Sequence, residues 1–428
     1  MELEYLKKTA SRMGKRVIEH GLIEREYDVT RISYMNRDAL VFFKVKELED
    51  VVLFSNLLST RKDIISLLGV NSLEEAYLAV ERAQQTPTSL EQVNFKDYFD
   101  EVEVDLSRLP FLKFYREDGG YYLTSSVYIV CHESTCNASY HRTMYLSKNR
   151  VVLRVVPRHL YHIISKFFEE GRDAPVALVL GLDPYHEMAA ATSPPLGIFE
   201  VGVGASLGGE RKVARTPKYG IPVPANASIV IEGVIPRGER ALEGPFVDML
   251  MLVDGAREQP IFIAESMYLS RRRPLLVHAI VPGLWEHQLF MGFPREAHMY
   301  IELKRVLPCV KAVRLTEGGS MWLHGVVSIS KECSEGDAKL AALVAISGHP
   351  SIKHLVIVDD DIDVDDLEDV EWAIATRVKG GSDVLVLRDV RGSTLEPRSR
   401  EGVGDKVVVV AITPRNEPYD KYRRAEIP

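Results

Sequence analysis

Two stretches of this chain raise the question of a metal first. Asp359-Asp-Asp-Ile-Asp363 has the carboxylate density of a calcium loop. Such a loop needs glycine at its sixth position and glutamate at its twelfth, where Val364 and Val370 stand. A solvated connection from a strand into a helix accounts for it better. Cys131-His-Glu-Ser-Thr-Cys136 could open a zinc site, but no second cysteine pair completes a tetrahedron. Two ordinary, partly buried cysteines are the reading. Gly202-Val-Gly204-Ala-Ser-Leu-Gly208 lacks the dinucleotide-binding spacing, and neither a Gly-Lys-Ser/Thr phosphate loop nor a Ser-His-Asp pattern occurs. Arg271-Arg272-Arg273 reads as a solvated face, with contact to an anionic ligand or partner as its alternative. What remains is a set of segments crowded with amide, imidazole, guanidinium and carboxylate groups. They are Asn137-Ala-Ser-Tyr-His-Arg142, Pro157-Arg-His159, Thr192-Ser-Pro-Pro-Leu-Gly-Ile-Phe-Glu200 and Glu243-Gly-Pro-Phe-Val-Asp248, with Lys406 further on. Taken singly, each has a plain reading. His159 would cap a helix, Lys406 would be a solvated residue opening a strand at 407–412, and Glu243-Gly-Pro-Phe would be a turn with proline at its second central position.

Together and in this order, the segments resemble the UbiD family of decarboxylases that use prenylated flavin mononucleotide. Val358-Asp-Asp-Asp-Ile-Asp-Val364 and Asp369-Val-Glu-Trp-Ala-Ile-Ala-Thr-Arg377 add to the likeness. The resemblance implies a metal held by Asn137, His159 and Glu200. An amide oxygen, an imidazole and a carboxylate form a mostly hard donor set, suited to Mn²⁺ or Mg²⁺, with K⁺ as a further ion. It implies flavin contacts at Ser139, Arg142, Arg158, Thr192, Ser193 and Lys406, the cationic ones serving the phosphate. It also implies an acid–base group of Arg142, Glu243 and Asp248. Loss of carbon dioxide leaves carbanion character that needs an electron sink, which prenylated FMN provides. The carbon must then take a proton, and a carboxyl group can supply it if burial near a second carboxylate raises its pKa. The chain departs from the commonest pattern in having aspartate rather than glutamate at 248, a side chain shorter by roughly 1.5 Å.

The main expectation is therefore a carboxy-lyase acting on an α,β-unsaturated acid. Within the family the chain resembles the archaeal branch that converts trans-anhydromevalonate 5-phosphate to isopentenyl phosphate in the mevalonate pathway. His141, Arg158 and Arg271–Arg273 could offer charge to a phosphorylated substrate. An aromatic acid of the hydroxybenzoate type is the alternative substrate. A flavin oxidoreductase on a split barrel is the rival of another class, and a non-catalytic binding protein a third. Neither rival explains two acids and an arginine accompanying a metal triad.

The elements that must position these groups can be read from pattern. Arg61–Leu68 is helical with Gly69 as its stop. Ser72-Leu-Glu-Glu75 is a capping box opening a helix that runs through Ala76 to about Ala83 and stops before Pro87. Residues 151–156, 176–180, 228–235 and 259–264 are rich in β-branched residues and read as strands. One helix interrupts them. Pro157 suits its first turn, Leu160, Ile163, Ile164, Phe167 and Phe168 share a face, and Gly171 ends it. Near the C-terminus, 354–358 and 383–387 are strands around an amphipathic helix from Asp366 to Thr376, a unit of the parallel-sheet kind. The implied architecture is α+β in three domains. These are an N-terminal α/β domain (1–115), a central split β-barrel carrying flavin, metal and catalysis (116–305), and a C-terminal α/β domain for oligomerisation (306–428).

Length and composition bound the rest. A chain of 428 residues exceeds one ordinary core. A net charge of −8 argues against general nucleic-acid binding. No apolar run reaches the roughly 18 residues of a membrane span, and MELEYLKKTA has no signal-peptide core. Four cysteines are too few for a disulfide framework, so a cytoplasmic location is expected. Five glutamines among many Glu, Lys and Arg hint at a thermophile. The expected partners are a small carboxylic acid, a flavin prenyltransferase supplying the cofactor, and copies of the chain itself in a dimer or hexamer.

Overall fold

The structure, a computed structural model, describes residues 1–48 and 50–425. The chain forms two compact units, Met1–Phe290 and Met291–Pro428.

The first unit is built around a ten-stranded antiparallel sheet. Its path runs 122–123, 143–147, 150–153, 257–270, 229–235, 174–180, 127–132, 135–140. Arg257–Ser270, 14 residues long, is its spine, and Arg240–Glu243 and Phe99–Val102 pair with it as well. All four strands read from β-branched runs are present, as Arg150–Leu153, Ala174–Leu180, Ile229–Ile235 and Arg257–Ser270. Their runs are nearly unbroken because both faces of the sheet are covered. Leu178 and Ile231 enter one core with Phe167 and Ile164, while Val179 and Val230 enter another with Val127 and Val223. Gly233 sits where a Cβ would meet the Ile263 carbonyl at 2.0 Å, so the pairing of these two long strands requires glycine there. The path does not close among the described residues. Separate sheets are four-stranded (16–23, 39–45, 51–55 and 275–278), three-stranded (222–224, 212–215 and 91–93) and two-stranded (246–247 and 253–254).

The helices partly follow expectation. Arg61–Leu68 ends at Gly69 in the left-handed region (φ 66°). Ser72 accepts from the Glu75 N–H, opening a helix over Leu73–Gln85 that starts at the cap and stops before Pro87 as read. Glu75 reaches past the cap to the Asn71 N–H at 2.8 Å, so only half of the capping box forms. The helix read after Pro157 is His159–Glu169, with Arg158 as its cap. Pro157 therefore precedes the cap instead of entering the first turn, and His159 opens the helix without capping it. Among the helices that went unread are Pro184–Ala191 and Glu200–Leu207. The first is buried at every position and the second at nearly every one, so neither shows the amphipathic stripe on which sequence detection depends.

The second unit carries a five-stranded sheet in the order 310–315, 324–329, 354–359, 403–411, 384–391. Here the strand–helix–strand reading needs correction. Val384–Arg391 is not the parallel neighbour of His354–Asp359. Val403–Ala411 lies between them, parallel to one and antiparallel to the other. The parallel crossover is one element earlier, from His324–Ile329 through the helix Glu335–Gly348 to His354–Asp359.

Two further readings are corrected. Asp359 is not in a solvated loop. It is fully buried and accepts from Thr413 N (2.7 Å), Thr413 Oγ1 (2.8 Å), Arg415 Nη2 (2.7 Å) and Arg377 Nη1 (3.3 Å). Arg377 also holds Asp361. The cysteines are not free: Cys131 bonds Cys136 and Cys309 bonds Cys333. The first pair lies directly across the hairpin of 127–132 and 135–140. Arg271 pairs with Asp100 at the surface. No helix among the described residues is long and apolar enough to cross a membrane.

Candidate active site

Arg142 leaves the hairpin just beyond Tyr140 and reaches Glu243, the last residue of Arg240–Glu243. Nε donates to Oε1 at 2.8 Å and Nη2 to Oε2 at 2.9 Å, a two-bond guanidinium–carboxylate pair. Glu243 is wholly buried and also receives the Tyr122 hydroxyl at 3.4 Å. It is therefore not the open turn residue its tetrapeptide allowed. The turn that follows contains a cis Gly244–Pro245 bond. Gly119 packs against it so closely that a Cβ there would meet the Gly244 oxygen at 2.3 Å. Nη2 of Arg142 donates as well to Asp254 Oδ2 at 2.8 Å, and the guanidinium lies over the Phe246 ring at 4.6 Å. Burial opposes the charge on Arg142, but Glu243 and Asp254 outweigh it and raise its pKa above the ordinary value.

Asp248 follows the short strand Phe246–Val247. Its Oδ1 accepts from Leu250 N at 2.8 Å and Leu252 N at 3.3 Å, which holds the carboxyl in place. Burial pushes its pKa up against the pull of those N–H groups, and Asp254 adds to the rise while Arg142 opposes it. With Oδ1 accepting twice, the proton belongs on Oδ2. Expectation and geometry differ on one point. The carboxylate that raises Asp248 is Asp254, and the pair steadied by Arg142 is Glu243 with Asp254.

The residues read as metal ligands also converge. Asn137 Nδ2 lies 2.7 Å from Glu200 Oε1, Glu200 Oε2 accepts from Ala138 N at 2.7 Å, and His159 Nδ1 stands 4.0 Å from Glu200. No group of three His, Cys, Asp or Glu side chains arranged for a metal occurs among the described residues. This set contains two of those types and an amide. Its hydrogen bonding bears on whether it fits a cation. His141 Nδ1 lies 2.8 Å from the Arg154 carbonyl, which can only accept, so Nδ1 carries the proton and Nε2 accepts. Burial holds His141 down to about 4, so one tautomer persists at neutral pH. The Ser139 hydroxyl, 3.0 Å from Nε2, then spends its only proton there. It has none for Asn137 Oδ1 at 2.8 Å. Turning the amide over lets Nδ2 donate to Ser139 and brings Oδ1 against Glu200. Two acceptors so placed are reconciled by a cation, and the donor set fits a hard divalent ion.

The remaining expected residues are more scattered. Thr192 is buried at the end of Pro184–Ala191, its hydroxyl on the Ala189 carbonyl at 2.6 Å, and Ser193 beside it is exposed. Arg158 is exposed at its helix cap. Lys406 lies in the second unit, inside Val403–Ala411. It is 2% exposed, and its Nζ donates to the Pro350 and Ile352 carbonyls at 2.6 and 2.5 Å, so the solvated reading fails. Burial lowers its pKa.

Three contributors were not read from sequence: Tyr122, Asp254 and His287. Asp254 is one acid among many, and only the pairing of Val253–Asp254 with Phe246–Val247 brings it back to the site. His287 accepts the Gly283 N–H on Nδ1 at 3.1 Å, and burial together with the charge of Arg142 holds it down to about 4.

Known proteins share this arrangement of chain. Residues 87–285 match the model of the 3-octaprenyl-4-hydroxybenzoate carboxy-lyase Rift-related domain, and 288–411 that of the C-terminal domain of the same enzymes. The anhydromevalonate phosphate decarboxylase of Aeropyrum pernix is 40% identical over 100% of this chain and 97% of its own. That of Methanothermobacter thermautotrophicus is 40% identical over 91% and 92%. Among solved structures, the UbiD-class enzyme HmfF from Pelotomaculum thermopropionicum, in complex with FMN, superposes with a TM-score of 0.93 at 29% identity, covering 100% of this chain and 97% of that one. A 3,4-dihydroxybenzoic acid decarboxylase from Klebsiella pneumoniae shares the fold at a TM-score of 0.88 and 19% identity, over 99% and 97%. Family models, full-length relatives and fold agree, and the chain belongs to the UbiD family of carboxy-lyases.

Proposed function

We propose that the protein removes carbon dioxide from trans-anhydromevalonate 5-phosphate to give isopentenyl phosphate, using prenylated FMN. The observation that carries the decarboxylation is Asp248: a buried carboxyl, raised in pKa and held by two backbone N–H groups, beside an arginine locked on a buried glutamate. One C–C bond breaks and one C–H bond forms. Asp248 gives the proton from Oδ2. Arg142 receives the substrate carboxylate, and Glu243 keeps Arg142 in place. The choice of substrate is supported by full-length relatives that carry the name anhydromevalonate phosphate decarboxylase.

Prenylated FMN is the electron sink when bound, and a UbiD-class neighbour holds it in its own structure. Asn137, His159 and Glu200 would hold Mn²⁺ or Mg²⁺, with K⁺ as a further ion. Ser139, Arg142, Arg158, Thr192, Ser193 and Lys406 would contact the flavin. Functionally we assign residues 1–115 to an α/β domain, 116–305 to a split-barrel catalytic domain and 306–428 to an α/β assembly domain, in a cytoplasmic homo-oligomer supplied by a flavin prenyltransferase. Two disulfides are compatible with that location in a hyperthermophile, whose intracellular proteins are often disulfide-rich.

The test is carbon dioxide release by protein co-produced with a flavin prenyltransferase and supplied with Mn²⁺. The phosphorylated acid is offered beside aromatic and acrylic acids. Release from the phosphorylated acid alone supports the assignment. Release from aromatic acids alone keeps the chemistry and discards the substrate.

A further inference from the structure

Asp254 stands outside every residue role assigned above, yet it touches more of the charged site than Asp248 does. Phe246–Val247 and Val253–Asp254 form a two-stranded ribbon in which Asp254 lies directly across from Phe246, the residue under the Arg142 guanidinium. The link from Asp248 N to the Leu252 carbonyl at 2.9 Å closes the turn between the strands. One short ribbon thus carries both acids, of which Asp254 bonds Arg142.

Arg142 has five N–H donors. Nε and one Nη2 hydrogen go to Glu243, and the second Nη2 hydrogen goes to Asp254 Oδ2 at 2.8 Å. Nη1 bonds no group among the described residues. Asp254 is itself held on its other oxygen by Arg257, with Arg154 Nε 4.0 Å from Oδ2. Arg154 is also the residue whose carbonyl accepts from His141, and its N–H donates to the Arg142 carbonyl at 3.1 Å.

We propose that Asp254 is a positioning residue for the decarboxylation: it fixes Arg142 so that the Nη1 end alone is left for a substrate carboxylate, and it supplies the negative charge that faces Asp248. This rests on the decarboxylase reading above. The charge that opposes Asp254 at Asp248 is Arg142, while Asp254 itself is held by Arg257 with Arg154 nearby. The charge of Asp254 opposes ionisation of Asp248. Removing it leaves Arg142 to favour the ionised form.

Asp254→Asn keeps an acceptor for Arg142 and removes the charge, whereas Asp254→Ala removes both. Asp254→Glu keeps the charge. The flavin-loaded enzymes are compared by the pH profile of kcat and by acid-minus-base infrared difference spectra, with Asp248→Asn marking the Asp248 carboxyl band. In Asp254→Asn, the alkaline fall in kcat and the infrared midpoint both move to lower pH by about one unit. Asp254→Glu leaves both in place, and Asp254→Ala raises KM about tenfold as well. A merely structural role would lower kcat at every pH and move neither midpoint. An unmoved infrared midpoint in Asp254→Asn overturns the proposal. If the parent turned over no acid, the substrate reading would fall and the infrared midpoint would still decide the role of Asp254.

Discussion

Arg142 and Glu243 are 101 residues apart in sequence and meet in a two-bond pair, with Glu243 fully buried and Arg142 mostly so. Each is the condition for the other. A carboxylate taken wholly out of water needs a cation at hydrogen-bond distance, and a buried guanidinium needs its donors satisfied. Asp254 takes one further donor, so the pair is anchored at three points. Asp248, by contrast, pairs with no cation among the described residues, and its carboxyl is held by two backbone N–H groups. The site thus separates a fixed ion pair from an acid that can change its charge.

Glu243→Gln keeps the shape of the side chain and removes its charge. Decarboxylation should fall by a factor of about 100 or more, the range lost with one positioned acid–base partner. Flavin should stay bound, since no metal or flavin contact is assigned to Glu243. Turnover and the flavin absorbance of the purified variant check both statements, and full activity would sink the acid–base assignment.

Asp248 must be protonated to act, and burial with Asp254 raises its pKa above the usual aspartate range. Activity should therefore hold at low pH and fall as pH rises through that raised value. The same sign applies to stability. The protonated form is favoured in the fold, so its contribution is complete below the unfolded value and is lost as pH rises through the folded one. Asp248→Asn should abolish turnover, and Asp248→Glu should retain some of it. A kcat that does not fall at any pH as the solution is made more alkaline would contradict the donor role.

His159→Ala removes an imidazole beside Glu200 and Asn137 without touching Arg142 or Asp248. Bound Mn²⁺, measured by elemental analysis of the purified protein, should drop to a small fraction of the parent's. Flavin retention on gel filtration should weaken with it. Unchanged metal content would remove His159 from the ligand set.

His278 tests the core of the first unit independently of activity. It is fully buried between Glu187 (2.6 Å) and Glu286 (3.1 Å), and Glu286 also accepts from Asn56 N and Leu58 N. Burial disfavours its charge, but the two glutamates win and raise its pKa to about 10. Its stabilising contribution is complete below the ordinary histidine value and is lost as pH rises toward 10. The melting temperature should decline between about pH 7 and 10 in the parent. His278→Gln leaves two buried carboxylates without a cation and should cost about 3–5 kcal/mol. A parent melting temperature level across that window would contradict a charged His278.

The sequence alone determined what local chemistry encodes. The helix stop at Gly69, the cap at Ser72, the face Leu160–Ile163–Ile164–Phe167 and four strands of the large sheet are all written in short-range spacing. Family likeness then singled out Asn137, Arg142, His159, Glu200, Glu243 and Asp248, and all six fall in the first unit. Tertiary structure decided whatever depends on a partner distant in the chain. The helices 184–191 and 200–207 show no stripe because they are buried nearly all round. Val403–Ala411 enters between two strands that are consecutive in sequence, which no local pattern can announce. Asp359 looked solvated because Thr413 and Arg415, which bury it, stand 54 and 56 residues away. Asp254 carries no local signal, and only the ribbon returns it to Arg142, because a carboxylate's role depends on which charges surround it in space.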